Sequence, residues 1–365
     1  MKLSRRIIAV VVLLAAAAGG LFFAFREPRH LLSLDRPPEL GKRLLFTLTG
    51  FAGGIRTLEW GLSVNDLDFS PDGKRLATST WRRATLPTEL QIRDTFTGKE
   101  LLSIKETSSY GKRVAFSADG TRLTALGFEN MRGNSMTEWD AATGQKIRTI
   151  GPVQTGGNEV VGAHGTRMAV HRPGGFEIWD IPSGQLLIEL PVTNHAIFAF
   201  SPDGKLAAVK VPRDDQALRL QHPNEVKLFD TKTGEEVLTL KGGIDTDLRQ
   251  MEFSRDGKRV ASLSYPNRVK LWSATTGEPV PLKLNGDNGQ GVCMAVSPDG
   301  SRIALECRSE IKVWDVASGE EQLTLKGFKG GVGCMRFSPD GNRLAAAALV
   351  GTALDLWDVS LDRRN

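Results

Sequence analysis

Cysteine is scarce: Cys293, Cys307 and Cys334 are the three in 365 residues. So few, and an odd number, exclude a disulfide-built scaffold, and no CxxC pair is present for zinc. They read as small buried side chains. Histidine is nearly as sparse. His30, His164, His171, His195 and His222 are scattered, with no HExxH and no paired ligand spacing, which gives a metal ion nothing to hold. Also missing are a GxSxG nucleophile elbow and a GxxxxGK[ST] phosphate loop. Asp245 and Asp247 form a pair of the calcium-binding kind, but their loop lacks the further oxygens such a site requires. The expectation is a protein without catalytic residues, metal or cofactor.

The formal net charge of +5 is confined to one end. Residues 1–43 carry Lys2, Arg5, Arg6, Arg26, Arg29, Arg36, Lys42 and Arg43 against Glu27, Asp35 and Glu39, which accounts for all of it. The rest of the chain balances at zero, so a nucleic-acid footprint across the body is not expected.

Ile7 to Phe25 is an uninterrupted apolar or glycine run, IIAVVVLLAAAAGGLFFAF. As a helix it would span roughly 28 Å, close to the hydrocarbon thickness of a bilayer. Lys2, Arg5 and Arg6 precede it, so the positive-inside rule keeps the N-terminus cytoplasmic and sends everything after Phe25 across the membrane. Two readings compete. Ala16-Ala17-Ala18 is a cleavage candidate that would make the segment a removable signal and the protein secreted. The apolar run continues through Leu21–Phe25 with no polar stretch before Arg26, which favours an uncleaved anchor. Residues 26–43, with Pro28, Pro37 and Pro38, read as an extended tether.

The body repeats one unit. FSPDG occurs at Phe69–Gly73, Phe200–Gly204 and Phe337–Gly341, with variants at Phe116–Gly120 (FSADG), Phe253–Gly257 (FSRDG) and Val296–Gly300 (VSPDG). A degenerate seventh, VGAHG, stands at Val161–Gly165 and explains His164 as a turn residue. A second signature follows each first: EWDAATGQ from Glu138, IWDIPSGQ from Ile178, LFDTKTGE from Leu228, LWSATTGE from Leu271 and VWDVASGE from Val313, with a weaker IRDTFTGK from Ile92. LWDVSLDRRN from Leu356 ends the chain. Ser-Pro-Asp-Gly suits a tight turn, because Pro presets φ and Gly takes the left-handed conformation. Each unit then reads as four strands, a to d, with the Trp-Asp segment as strand c.

These residues resemble the WD-repeat family of β-propellers, with the match covering residues 44–365 at about 46 residues per blade. The resemblance implies an all-β, seven-bladed propeller of four-stranded antiparallel blades. Trp139, Trp179, Trp272, Trp314 and Trp357 occupy the strand-c position, with Arg93 and Phe229 replacing it in blades one and four. Blade seven lacks its own strand d, and residues 44–49 are expected to supply it beside 353–357, closing the ring. The sequence departs from the family pattern where a Gly-His pair is usual, reading Gly50-Phe51, Gly242-Gly243 or Gly327-Phe328.

A repeated residue is explained by the repeat, so candidate functional residues are the unrepeated ones. The b–c loops Trp81–Thr88, Phe128–Ser135 and Pro212–Pro223 are enlarged, and the approach to blade one contains Trp60. Trp and Arg combine apolar area with directed hydrogen bonding and dominate binding hot spots. Trp60, Trp81, Arg82, Arg83, Phe128, Met131 and Arg132, extended by Arg213, are therefore the candidate partner surface. The resemblance implies a non-catalytic protein-interaction platform, here tethered to a membrane with its ring on the outer side. The rivals are a propeller enzyme or a small-molecule or metal sensor, whose sign would be acids or histidines converging at strand-a starts, where they are sparse, and a structural envelope protein.

Overall fold

The computed structural model describes residues 44–48, 62–82, 88–106, 113–128, 134–153, 160–164, 166–172, 175–191, 198–211, 224–244, 248–265, 268–284, 293–308, 310–326, 331–349 and 353–360. The chain divides into residues 1–41 and a unit running from Lys42 to Asn365. The apolar run 7–25 and the tether lie outside the described residues. Among the described residues all regular structure is strand, and no helix is long and apolar enough to cross a membrane.

Strand β1 (Leu44–Leu48) precedes blade one, which is β2 (Leu62–Phe69), β3 (Arg75–Arg82), β4 (Thr88–Asp94) and β5 (Glu100–Glu106). Blade two is β6 (Arg113–Phe116), β7 (Arg122–Phe128), β8 (Asn134–Asp140) and β9 (Lys146–Val153). Blade three is β10 (Val160–His164), β11 (Arg167–Arg172), β12 (Gly175–Asp180) and β13 (Gln185–Leu190). Blade four is β14 (Phe198–Phe200), β15 (Leu206–Val211), β16 (Asn224–Asp230) and β17 (Glu236–Ile244). Blade five is β18 (Leu248–Phe253), β19 (Arg259–Ser264) and β20 (Arg268–Ser273). Blade six is β21 (Met294–Val296), β22 (Arg302–Cys307), β23 (Glu310–Asp315) and β24 (Glu321–Leu325). Blade seven is β25 (Val332–Phe337), β26 (Arg343–Ala348) and β27 (Leu354–Asp358), with β1 antiparallel to β27 in the register Leu44↔Trp357 to Leu48↔Leu354.

The first strands adjoin in cyclic order, β2, β6, β10, β14, β18, β21, β25 and back to β2. The unit is therefore a seven-bladed ring of antiparallel sheets with one strand of each blade at the inner edge. Its core is distributed. Seven apolar clusters of described residues each join two neighbouring blades, from Ile92 with Phe116 and Trp139 across blades one and two to Leu67 with Ala345 and Leu356 across blades seven and one. The run Ala345–Ala348 is fully buried, and small side chains there let flanking sheets approach closely.

The repeated turns are built as their composition demands. Gly73 adopts φ 70°, Ser70 Oγ donates to Asp72 Oδ1 at 2.6 Å, and the Arg75 N–H donates back to Ser70 Oγ at 2.9 Å. Arg75 then reaches the next blade, donating to the Gly120 carbonyl at 2.6 Å with its guanidinium over the Phe116 ring. Arg302 repeats this on Gly341 and Phe337. The turn aromatic and the arginine after the turn thus fasten blades together.

Blade five departs from the expected four strands. Pro279 and Pro281 stand where strand d belongs and cannot donate to the ladder. One bridge, Trp272↔Pro279, and the Val280 N–H to the Leu271 carbonyl at 2.8 Å remain, while Val280, Leu282 and Leu284 still pack on the core between blades five and six.

Candidate functional site

Of the expected partner surface, Trp60, Arg83, Met131, Arg132 and Arg213 lie outside the described residues. Trp81 and Arg82 are the last two residues of β3 rather than loop residues, because the pairing with β2 continues through Ser63↔Trp81 and Leu62↔Arg82. Phe128 likewise ends β7, opposite Asn134. The side chains of these three also lie outside the described residues. Strands of blades one and two therefore carry Trp81, Arg82 and Phe128 at their b–c ends, and the structure describes no contact among the eight residues.

A different set of unrepeated side chains does converge. An inner strand pairs with one neighbour within its sheet, so its other edge carries N–H groups in need of acceptors. In blade two, the Val114 N–H donates to Asp66 Oδ2 at 3.2 Å and the Phe116 N–H donates to Asp68 Oδ2 at 2.8 Å, both carboxyls coming from blade one. Between blades five and six, Gln250 uses both ends of its amide. Its Nε2 donates to the Met294 carbonyl at 2.8 Å, and its Oε1 accepts the Met294 N–H at 2.9 Å. Glu252 stands beside the Val296 N–H in the same junction. Between blades six and seven, Glu306 Oε1 accepts the Val332 N–H at 2.9 Å.

Arginines answer these acids. Arg113 on β6 and Arg336 on β25 flank Asp66, with guanidinium nitrogens 3.8 and 3.7 Å from Oδ1. The Asp66 side chain is 4% exposed, and Oδ1 accepts no hydrogen bond from protein. Asp68 and Glu252 are half-buried but enclosed by the inner strands. Burial pushes the Asp68 carboxyl up to about 6 against the opposing pull of the Phe116 N–H and Arg336. Burial likewise pushes Glu252 up to about 7, with Arg336 opposing. Burial alone would lower Arg336, but Glu252 and Asp66 outweigh it and hold the guanidinium firmly charged. Burial raises the thiols of Cys293, up to about 12, and Cys334; protonated thiols are poor nucleophiles.

Position relative to the turn was the available signal for this set. One residue before the turn's Phe or Val stand Asp68, Ala115, Ala199, Glu252, Ala295 and Arg336; three residues before stand Asp66, Arg113, Gln250, Cys293 and Cys334. Charge at these positions is not explained by the repeat. Asp66, Asp68 and Glu252 lie on first strands, but toward their ends before the turn rather than at the strand starts. Among the described residues no group of three or more His, Cys, Asp or Glu is arranged to hold a metal ion.

A closed ring of seven sheets with repeated Ser-Pro-Asp-Gly turns and strand-c tryptophans defines a β-propeller of the repeat type. The model of the WD domain, G-beta repeat family matches the chain at residues 43–83, from β1 through β3, and at 319–355, from blade six into β27. With the seven-bladed ring, these two stretches match a WD-repeat propeller family. No curated protein matches the chain.

Proposed function

We propose that this protein is a non-catalytic, protein-interaction platform held at a membrane by residues 7–25, with its propeller on the outer side. The observation that carries the reading is the WD-repeat ring itself, a fold suited to docking partners on variable loops over a rigid frame. The cross-junction hydrogen bonds of Asp66, Asp68 and Gln250 support it further, because they assign those polar side chains a part in holding blades together. The partner surface is the b–c side of blades one and two, centred on Trp60, Trp81, Arg82, Arg83, Phe128, Met131 and Arg132, with Arg213 extending it. The antiparallel register of β1 on β27 supports closure of blade seven by the N-terminal strand. The partner is a protein, reached without nucleic acid or cofactor.

Crosslinked pull-down from intact membranes tests this, comparing wild type with Arg82→Glu/Arg83→Glu. A partner recovered with wild type and lost with the double variant is the expected result. The same partners with both would keep the platform and remove its site. No partner with either would overturn the platform and favour the second reading, a small-ligand sensor. That second reading draws on one specific observation, the meeting of Asp66, Asp68, Glu252, Arg113 and Arg336 at the inner ring.

A further inference from the structure

Six of the seven blade junctions bury their outer half in the same way. The strand-c aromatic of one blade joins an apolar cluster with the outer segment of the blade before it, as Trp139 does with Leu102 and Ile104, and Trp357 with Leu323 and Leu325. The junction between blades seven and one differs. Its strand-c position holds Arg93, which pairs with Leu76 and so shares the face that meets blade seven. Among the described residues, none of β4 or β5 joins the apolar cluster there. A chain of polar contacts takes the place of the aromatic. Arg93 Nη2 donates to Gln91 Oε1 at 3.0 Å and to Glu100 Oε2 at 3.1 Å. Gln91 Nε2 donates to Glu89 Oε1 at 3.0 Å, and Ser103 Oγ donates to that same oxygen at 2.7 Å. Each of these bonds has both ends in blade one. The inner half of the junction is fastened separately: Leu67 and Leu76 pack with Ala345 and Leu356, and Arg343 Nη1 donates to Thr95 Oγ1 at 2.7 Å.

We propose that β1 is an exchangeable strand, and that in a dimer its place beside β27 is taken by residues 44–48 of a second copy of this chain. This rests on the closure of blade seven by β1 proposed above. The strand is singled out by what lies at its junction. Bonds made within blade one survive the departure of β1, and water hydrates such polar groups, whereas a bared tryptophan would forfeit its hydrophobic stabilisation. The inner fastening holds blades seven and one together meanwhile. The occupant is singled out by the edge left behind. Leu354, Leu356 and Trp357 of β27 are buried, so this edge requires a strand over it. The same five residues from another chain restore the register Leu44↔Trp357 to Leu48↔Leu354 pair for pair. Residues 49–61 link β1 to β2, and a link of that length spans about 40 Å when extended, enough to reach a neighbouring ring.

Disulfide trapping on the full-length chain in detergent tests the exchange, because Thr47 stands opposite Asp355 in the β1–β27 register. One preparation carries Thr47→Cys and a second, differently tagged, carries Asp355→Cys; they are mixed, incubated and oxidised. A third carries both changes on one chain. Leu48→Cys with Leu354→Cys, also opposite one another, serves if the first pair impairs folding. The native cysteines are buried, and the mass of the joined peptides identifies the new linkage. The expected result is a 47–355 linkage between the two tags that grows with protein concentration. Arg93→Trp, which restores the aromatic of the other blades, should lower it about ten-fold, with Arg93→Phe as the alternative should the larger ring misfold. Linkage within the doubly substituted chain but none between tags would overturn the exchange and leave the closure standing. No linkage in any preparation would overturn both. Linkage between tags that is unchanged by either aromatic would overturn the part assigned to the polar junction.

Discussion

Asp119 lies on a repeated turn of blade two and Asp68 on the inner strand of blade one, and the two carboxyls meet opposite surroundings. Asp119 is exposed; the Ser117 hydroxyl donates to it at 2.6 Å and the Thr121 N–H at 3.0 Å, and these donors hold it down at about 2. Asp68 accepts a comparable bond from Phe116, yet enclosure raises it to about 6. Water behind the turn completes the solvation of its charge, whereas at Asp68 desolvation outweighs the pull of the Phe116 N–H and of Arg336. Hydrogen bonding alone therefore does not decide which carboxyl stays ionised; the medium around the bond does. Asp119 serves its turn at every pH above its low value, whereas burial leaves Asp68 and Glu252 raised toward neutrality.

Removing the shared cation should break this contrast most forcefully. Arg336→Met leaves Asp66, Asp68 and Glu252 without their common partner, and loss of one side of a buried charged set costs about 3 kcal/mol. The loss should be largest at pH about 8, where Asp68 and Glu252 are ionised, and should shrink toward pH about 5.5 as those two take up protons. Urea unfolding at both pH values measures it. An equal loss at both would mean that Arg336 acts by packing rather than by charge.

Turn chemistry gives a smaller effect of opposite pH sign. Asp119→Ala removes the acceptor for Ser117 and Thr121 and should cost about 1 kcal/mol near neutral pH. Because the Asp119 carboxyl is depressed, its contribution is present above the ordinary value of 3.8 and is lost as pH falls through about 2. Wild type and variant should therefore converge in strong acid. A difference that instead grows toward acid would place Asp119 with the inner-ring group.

What was legible in the sequence follows the same division. The turns, strand-c tryptophans and ring architecture are local signals copied many times, so Ser70, Asp72 and Gly73 read correctly without any tertiary information. The inner-ring set was not read, because Asp66 and Asp68 acquire their role from the edge of β6, a strand whose nearest contact with them is nearly fifty positions away along the chain. The missing fourth strand of blade five was written in Pro279 and Pro281, yet the repeat register there outweighed what two prolines do to a ladder. Trp81, Arg82 and Phe128 were assigned to loops by the length of the gap between signatures, whereas strand pairing runs on until a partner residue is lacking.

The smallest effect separates hydrogen bonding from charge pairing within the turns themselves. Lys205 stands 3.4 Å from Asp203, with side chains 78% and 56% exposed. An ion pair so open to solvent contributes little, because water screens it and ordering the lysine costs entropy. Asp203 keeps the Ser201 hydroxyl at 2.7 Å and the Lys205 backbone N–H at 3.1 Å whatever side chain follows. Lys205→Ala should therefore change stability by less than about 0.5 kcal/mol, with no altered pH dependence between about 5 and about 8, in the same urea experiment. A loss above about 1 kcal/mol would show the turn carboxyl leaning on a neighbouring cation, as the inner-ring acids lean on Arg336. The distinction between the two sets of acids would then be one of degree, set by exposure, rather than one of kind.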